Sequence, residues 1–264
     1  MAILVSGDFH NDARGELRYL TKDYLINHYG KKVYESINYH IILGDAGFLW
    51  PGNEAKEAEN VKVLAERHFP ILCVIGNHEP VLGYTDLPEA DIGIGEKVIA
   101  IKEAEPLIAY LKRGKVYSIE NKEFLVLGGA LSIDKYRRIP GLSWWENEYW
   151  SASEEKKVFK MLETQNKFDY VLSHTGPSRI NFKVFPSYSG MFDSQKYYDK
   201  VAVLNEEIDK IITCKGWFSG HWHAVDYYYC KYRKRGYQYL YRHNALITEK
   251  KVIRPKYNTP GDLL

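Results

Sequence analysis

Ala2-Ile3-Leu4-Val5-Ser6-Gly7-Asp8-Phe9-His10 opens the chain with a short apolar run, then a glycine, then two side chains that bind cations or carry protons. The pattern recurs twice. Residues 39–43 lead into Gly44-Asp45, and residues 71–75 lead into Gly76-Asn77-His78-Glu79. Apolar runs of about five residues, closed by glycine or aspartate, suit strands buried on both faces. Two helix-length segments separate them. Residues 16–28 place Leu17, Leu20, Tyr24, Leu25 and His28 at helical spacing; residues 54–68 follow Asn53 as N-cap and put Val61, Leu64, Ala65 and His68 on one face. This predicts an α/β start, βαβαβ, with a parallel sheet covered on both sides.

Beyond residue 80 the pattern changes. Lys115–Ile119 and residues 123–127 flank Glu120-Asn121-Lys122 and read as a hairpin. Residues 132–150 form a loop rich in aromatic and charged side chains, followed by a helix over 153–165 with Ser151 and Glu154 spaced as a capping box. A strand over 169–173 ends at His174, a helix covers 197–213, and Trp217, Phe218 and Ser219 form another strand. Asp226–Cys230 and residues 237–242 pair around a basic turn. No repeat, low-complexity tract or linker interrupts the chain, so one domain over 1–264 is expected.

Composition narrows the classes. At 264 residues and 45% hydrophobic content the chain can bury a sizeable core, which excludes a disordered or collagen-like protein. Thirty-six Lys and Arg against 34 Asp and Glu leave +2, so net charge alone demands neither a nucleic acid nor a membrane surface. The longest apolar runs fall far short of the ~20 residues that cross a bilayer. Gly7 and Asp8 follow the first run directly, without the basic start and cleavage site of a signal peptide. Three cysteines (Cys73, Cys214, Cys230) suggest a reducing compartment and no disulfide framework, with Cys73 a small core hydrophobe. A soluble, cytoplasmic, globular protein is expected.

The chemistry lies at the strand ends. Asp8 and His10, Asp45, Asn77 and His78, His174, and His221 and His223 all sit at or just past a predicted strand, mostly beside a glycine. Open α/β sheets bind ligands beyond the carboxyl ends of their strands, so these loops converge on one place. Two Asp, one Asn and four of the five His make seven donors. Mixed imidazole and carboxylate sets suit Mn, Fe or Zn. Seven donors are too many for one tetrahedral ion, but two ions about 3.5–4 Å apart sharing a carboxylate would use them all. His28, His40, His68 and His243 lack such company and read as structural.

The order D-x-H, G-D, G-N-H-E, H, G-H-x-H, spread from Asp8 to His223, resembles the calcineurin-like metallophosphoesterase superfamily. The resemblance implies a four-layer α-β-β-α sandwich and a dinuclear metal-dependent phosphoester hydrolase. Carried over by position, Asp8, His10 and His223 would hold one ion, Asn77, His174 and His221 the other. Asp45 would bridge both, opposite a bridging hydroxide that attacks phosphorus. His78 would be catalytic without ligating, protonating the leaving group or holding the phosphate, with Asn77 also beside the substrate. Mn²⁺ is the expected pair, with Fe or Zn as alternatives. The chain departs from the Ser/Thr protein phosphatases at Phe48, which replaces the Asp partner of the catalytic histidine, and no Arg follows. Asn11 stands where many members have glycine.

Arg137 and Arg138 lie before the aromatic stretch Trp144-Trp145-Glu146-Asn147-Glu148-Tyr149-Trp150. They are either phosphate clamps beside an aromatic cleft wall, with Arg14 a weaker candidate, or part of a solvated loop anchored by Trp packing. Lys231-Tyr232-Arg233-Lys234-Arg235 could stack and pair with nucleic acid, or is a charged hairpin tip. Small phosphorylated molecules or nucleotides are the favoured substrates. A DNA or RNA nuclease, a protein phosphatase and a non-catalytic scaffold are the alternatives.

Overall fold

The computed structural model describes residues 1–10, 20–49, 67–80, 87–102, 107–186 and 199–255, and between them Ala55, Ala58, Glu59, Val61 and Lys62. Strands β1 (Ala2–Ser6), β2 (Ile37–Ile42) and β3 (Ile71–Cys73) are followed by β4 (Glu89–Ala90), β5 (Val98–Lys102) and β6 (Ile108–Tyr110). A second group comprises β7 (Lys115–Ile119), β8 (Lys122–Leu127), β9 (Tyr170–Ser173), β10 (Gly216–Ser219), β11 (Asp226–Cys230) and β12 (Arg235–Tyr239). The chain then returns through β13 (Asn244–Thr248) and β14 (Val252–Ile253) to the first group.

The first sheet runs β14-β13-β1-β2-β3-β6-β5-β4, and the second β11-β12-β10-β9-β8-β7. β1, β2, β3 and β6 are mutually parallel, as are β8, β9, β10 and β12. Parallel neighbours bring their carboxyl ends to one edge, which is where the polar loops begin. Ile3, Val5, Ile41 and Leu72 from one sheet meet Phe124, Val126, Leu172 and Phe218 from the other in a shared core.

The outer faces are covered by helices, because each sheet still has an apolar side to bury. Leu25 of α1 (Lys22–Tyr29) and Tyr34 of α2 (Lys31–Tyr34) pack with Leu4, Ile37 and Leu246 on the first sheet. Val158 and Leu162 of α3 (Ala152–Leu162), Ile180 of α4 (Ser178–Val184), and Val201, Leu204 and Ile208 of α5 (Lys200–Ile211) pack with Leu125, Val171 and Trp217 on the second. The result is the four-layer α-β-β-α sandwich.

Local signals account for the helix ends. Ser151 and Glu154 form the expected reciprocal capping box at α3. The helix expected over 197–213 begins instead at Lys200, because Asp199 accepts the Val201 and Ala202 N–H groups and so fixes the start. The helix expected from residue 16 is described only as α1, capped by Thr21. Asn11, Arg14, Asn53, Leu64 and Ala65 lie outside the described residues, while Ala58 and Val61 are helical. β4, β5, β6, β13 and β14 were not expected from sequence; β13 pairs antiparallel to β1, with Thr248 opposite Ala2.

The histidines read as structural have structural partners. His40 is buried between the Ser6 hydroxyl and the Arg67 guanidinium, and His68 bonds the Ile37 carbonyl. His28 stacks on Tyr24, and His243 bonds the Tyr241 carbonyl. Cys73 is fully buried in β3. Among the described residues, no helix is long and apolar enough to cross a membrane.

Candidate metal centre

Five strand ends supply the centre. Asp8 follows β1, Asp45 follows β2, Asn77 and His78 follow β3, His174 follows β9, and His221 and His223 follow β10. To aim side chains back over the sheet edge, the backbone adopts conformations that side chains resist: φ is +48° at His10, +50° at Asp45, +67° at His221 and +49° at His223. Such positions cost of order 1–3 kcal/mol each and persist only where the surroundings enforce them. The glycines permit the close approach. Gly44 has φ +94°, and a Cβ there would stand 2.3 Å from His174 Nδ1; a Cβ on Gly220 would stand 2.1 Å from Asp8 Oδ1.

Backbone hydrogen bonds lock these loops to the carboxylates they serve. The His221 N–H donates to both Asp8 oxygens, at 3.0 and 2.8 Å, and the His78 N–H donates to Asp45 Oδ1 at 2.9 Å. Donor atoms of Asp8, His10 and His223 then converge: His10 Nε2 and His223 Nε2 are 2.7 Å apart, and each lies under 4 Å from Asp8 Oδ2. Beside them His174 Nε2 is 2.9 Å from Asn77 Oδ1 and 3.2 Å from Asp45 Oδ2, with the His221 ring 5.0 Å from that of His174. Asp45 also lies within reach of His10 and His78. All seven sequence-derived donors are brought together, and His78 stands among them, near enough to Asp45 and His10 to form a third candidate donor group.

The donor chemistry fits divalent cations. His174 Nδ1 lies 2.7 Å from the Leu43 carbonyl, which accepts but cannot donate, so the proton sits on Nδ1. In the neutral ring Nε2 then aims its lone pair at two oxygens that are also acceptors. Only a proton or a cation reconciles such groups.

Electrostatics say the same. Burial favours the neutral acid at both aspartates. For Asp8 it prevails, raising the pKa to about 6. For Asp45 the adjacent His174 and His78 outweigh it and hold the carboxyl well below its usual range. Burial would lower His174, but Asp45 raises it to about 10. Burial depresses His221, and takes His78 and His223 down to about 4.

The metal-free centre therefore holds an imidazolium at His174 through neutral pH, where a cation needs the lone pair. Cation uptake at pH 7.5 is expected to release at least one proton per chain, and affinity is expected to rise with pH toward about 10 and to fall further below about 6 as Asp8 protonates. Titration calorimetry of Mn²⁺ in buffers of different ionisation enthalpy measures this; equal heats in all buffers would contradict it.

Two further side chains organise the centre. Glu79, 4% exposed, accepts the Ala46 and Gly47 N–H groups, the Gly76 N–H and the Tyr110 hydroxyl, so one carboxylate ties the Asp45 loop to the Asn77 loop. Ser132, which sequence did not single out, accepts from Asn77 Nδ2 at 2.9 Å. The two arginines separate. Arg138 reaches His78, its Nη1 and Nη2 lying 2.8 and 3.0 Å from the two ring nitrogens, and pairs with Asp134. Arg137 is exposed and lies over Tyr136.

The model of the calcineurin-like phosphoesterase family matches residues 1–225. No curated protein sequence matches the chain. Among solved structures the chain is similar to a phosphopantetheinyl hydrolase from Mycobacterium tuberculosis, at 12% identity and a TM-score of 0.46, over 91% of this chain and 90% of that one. It is also similar to GAP50, the anchor in the inner membrane complex of Plasmodium, at 11% identity and a TM-score of 0.47, over 91% of this chain and 71% of that one. Neither likeness carries an inference about substrate.

Proposed function

Since the chain belongs to the calcineurin-like phosphoesterase family and is a metal-dependent phosphoester hydrolase, we propose that it acts on small phosphorylated molecules or nucleotides with two divalent cations, Mn²⁺ foremost. The observation that carries this reading is the convergence of seven donors from five strand ends. Asp8, His10 and His223 would hold one ion, Asn77, His174 and His221 the other, and Asp45 both. When bound, such a pair acidifies water to hydroxide near neutral pH and neutralises phosphoryl oxygens as charge develops.

The protein's own part follows from the groups beside the donors. Arg138 brings Nη1 and Nη2 to the His78 ring and also bonds Asp134 and the Ser143 carbonyl, so a phosphate held by its guanidinium would displace contacts to His78. In the resting site the burial of His78, with the added cationic charge of Arg138, lowers its pKa to about 4. A phosphate dianion between them would favour the imidazolium, which can then protonate the leaving oxygen. Arg137, exposed and over Tyr136, has no such position.

Two observations favour small esters. In the basic turn, Arg233 is engaged by Asp209 and the Lys210 carbonyl, and Arg235 is buried against Asp209, Cys214 and the Ile212 carbonyl, so neither is spare for a nucleic-acid backbone. Phe48 is 2% exposed within the core, so the aspartate that partners the histidine in protein phosphatases has no counterpart there.

Arg138→Ala is expected to raise KM for p-nitrophenyl phosphate about tenfold or more, the scale of a lost charge-assisted contact, while Arg137→Ala leaves it unchanged. Steady-state kinetics on Mn²⁺-loaded protein check this. Faster cleavage of DNA or RNA than of small esters would replace this reading with the nuclease.

A further inference from the structure

We propose that Ser132 and Glu148 form a positioning relay that fixes the amide of Asn77 and so sets the affinity of the second cation site. This rests on the reading of Asn77 as a ligand. An asparagine amide has two ends of nearly equal size, and only the oxygen end binds a cation. Here Oδ1 faces His174 Nε2 at 2.9 Å, and Nδ2 donates to Ser132 Oγ at 2.9 Å. Turned by half a revolution, the amide would put N–H groups where the cation belongs. Ser132 Oγ is the acceptor that opposes that turn.

Ser132 is itself held in place. Ser132 is 2% exposed and Glu148 3%, so protein groups must satisfy both. The Glu148 carboxylate accepts the Ser132 N–H, both oxygens at 3.3 Å. Asn77 thus donates to the Ser132 hydroxyl, while the Ser132 backbone N–H donates to Glu148, which holds the residue in place.

The surroundings hold this chain rigid. Arg113 bonds both Glu154 oxygens and the Asn147 and Tyr149 carbonyls, clamping the segment on either side of Glu148. The aromatic loop, ambiguous in sequence between a cleft wall and an anchored loop, delivers a carboxylate to the outer side of a metal ligand.

Calorimetric titration of Mn²⁺ into the metal-free full chain tests the relay. Wild type is expected to take two ions. Ser132→Ala is expected to weaken one of them about 10–100-fold and spare the other, since groups that orient ligands carry effects of that size. Ser132→Thr, which keeps the hydroxyl, is expected to restore the loss, and Glu148→Gln to weaken the same single ion. Two ions bound with wild-type affinity by both Ser132→Ala and Glu148→Gln would overturn the relay, as would equal weakening of both ions. If Ser132→Ala fails to fold, Glu148→Gln decides by the same criterion. Wild type that binds two ions yet hydrolyses no phosphoester would defeat the proposed function and leave the relay standing.

Discussion

Asp45→Ala is expected to remove both the bound cations and the activity, by about 10⁴-fold or more, because the several kcal/mol of charge stabilisation that a cation pair supplies goes with it. The structural reason is the place of Asp45. Its Oδ2 lies 3.2 Å from His174 Nε2 and within 4 Å of His10 Nδ1 and His78 Nε2, so it faces both donor groups. Its Oδ1 also accepts the His78 N–H, which ties the Asn77 loop to it. Elemental analysis and p-nitrophenyl phosphate hydrolysis, measured on the same preparation, check the two losses together. A variant that keeps two ions would remove Asp45 from the bridging position.

His78→Ala is expected to separate the two losses. As a group that handles the leaving oxygen or the phosphate, it should cost about 10²–10⁴ in turnover while metal content stays near wild type. The contrast is informative because His78 is near enough to Asp45 and His10 to ligate. Loss of metal in His78→Ala, on the scale seen for Asp45→Ala, would make it a ligand.

The candidate donors were legible in sequence because each stands within four residues of the end of a strand. Gly44-Asp45 and Gly76-Asn77-His78 follow apolar runs directly, so locating the strand locates the side chain. The apolar strands β1, β2 and β3 and the Ser151–Glu154 capping box were legible for the same reason: the signal is local. What sequence missed is contact between distant segments. Nothing near Ser132 announces that it will meet Asn77, 55 positions away, nor that Glu148 lies behind it. Arg137 and Arg138 are neighbours of identical chemistry, and only the turn over Lys135–Arg137 decides that Arg138 faces His78. β13 was missed because its partner is the first strand of the chain, and β4 and β14 are two residues long, too short for an alternating pattern to register.

Titrating Mn²⁺ into metal-free protein, while following bound metal and p-nitrophenyl phosphate hydrolysis in the same samples, tests the central claim most directly. Binding that saturates at two ions per chain, with hydrolysis appearing as the second site fills and vanishing on chelation, is the result predicted. Saturation at one ion or none, or hydrolysis indifferent to Mn²⁺ and chelator, would contradict a catalytic pair of cations held by Asp8, His10, Asp45, Asn77, His174, His221 and His223.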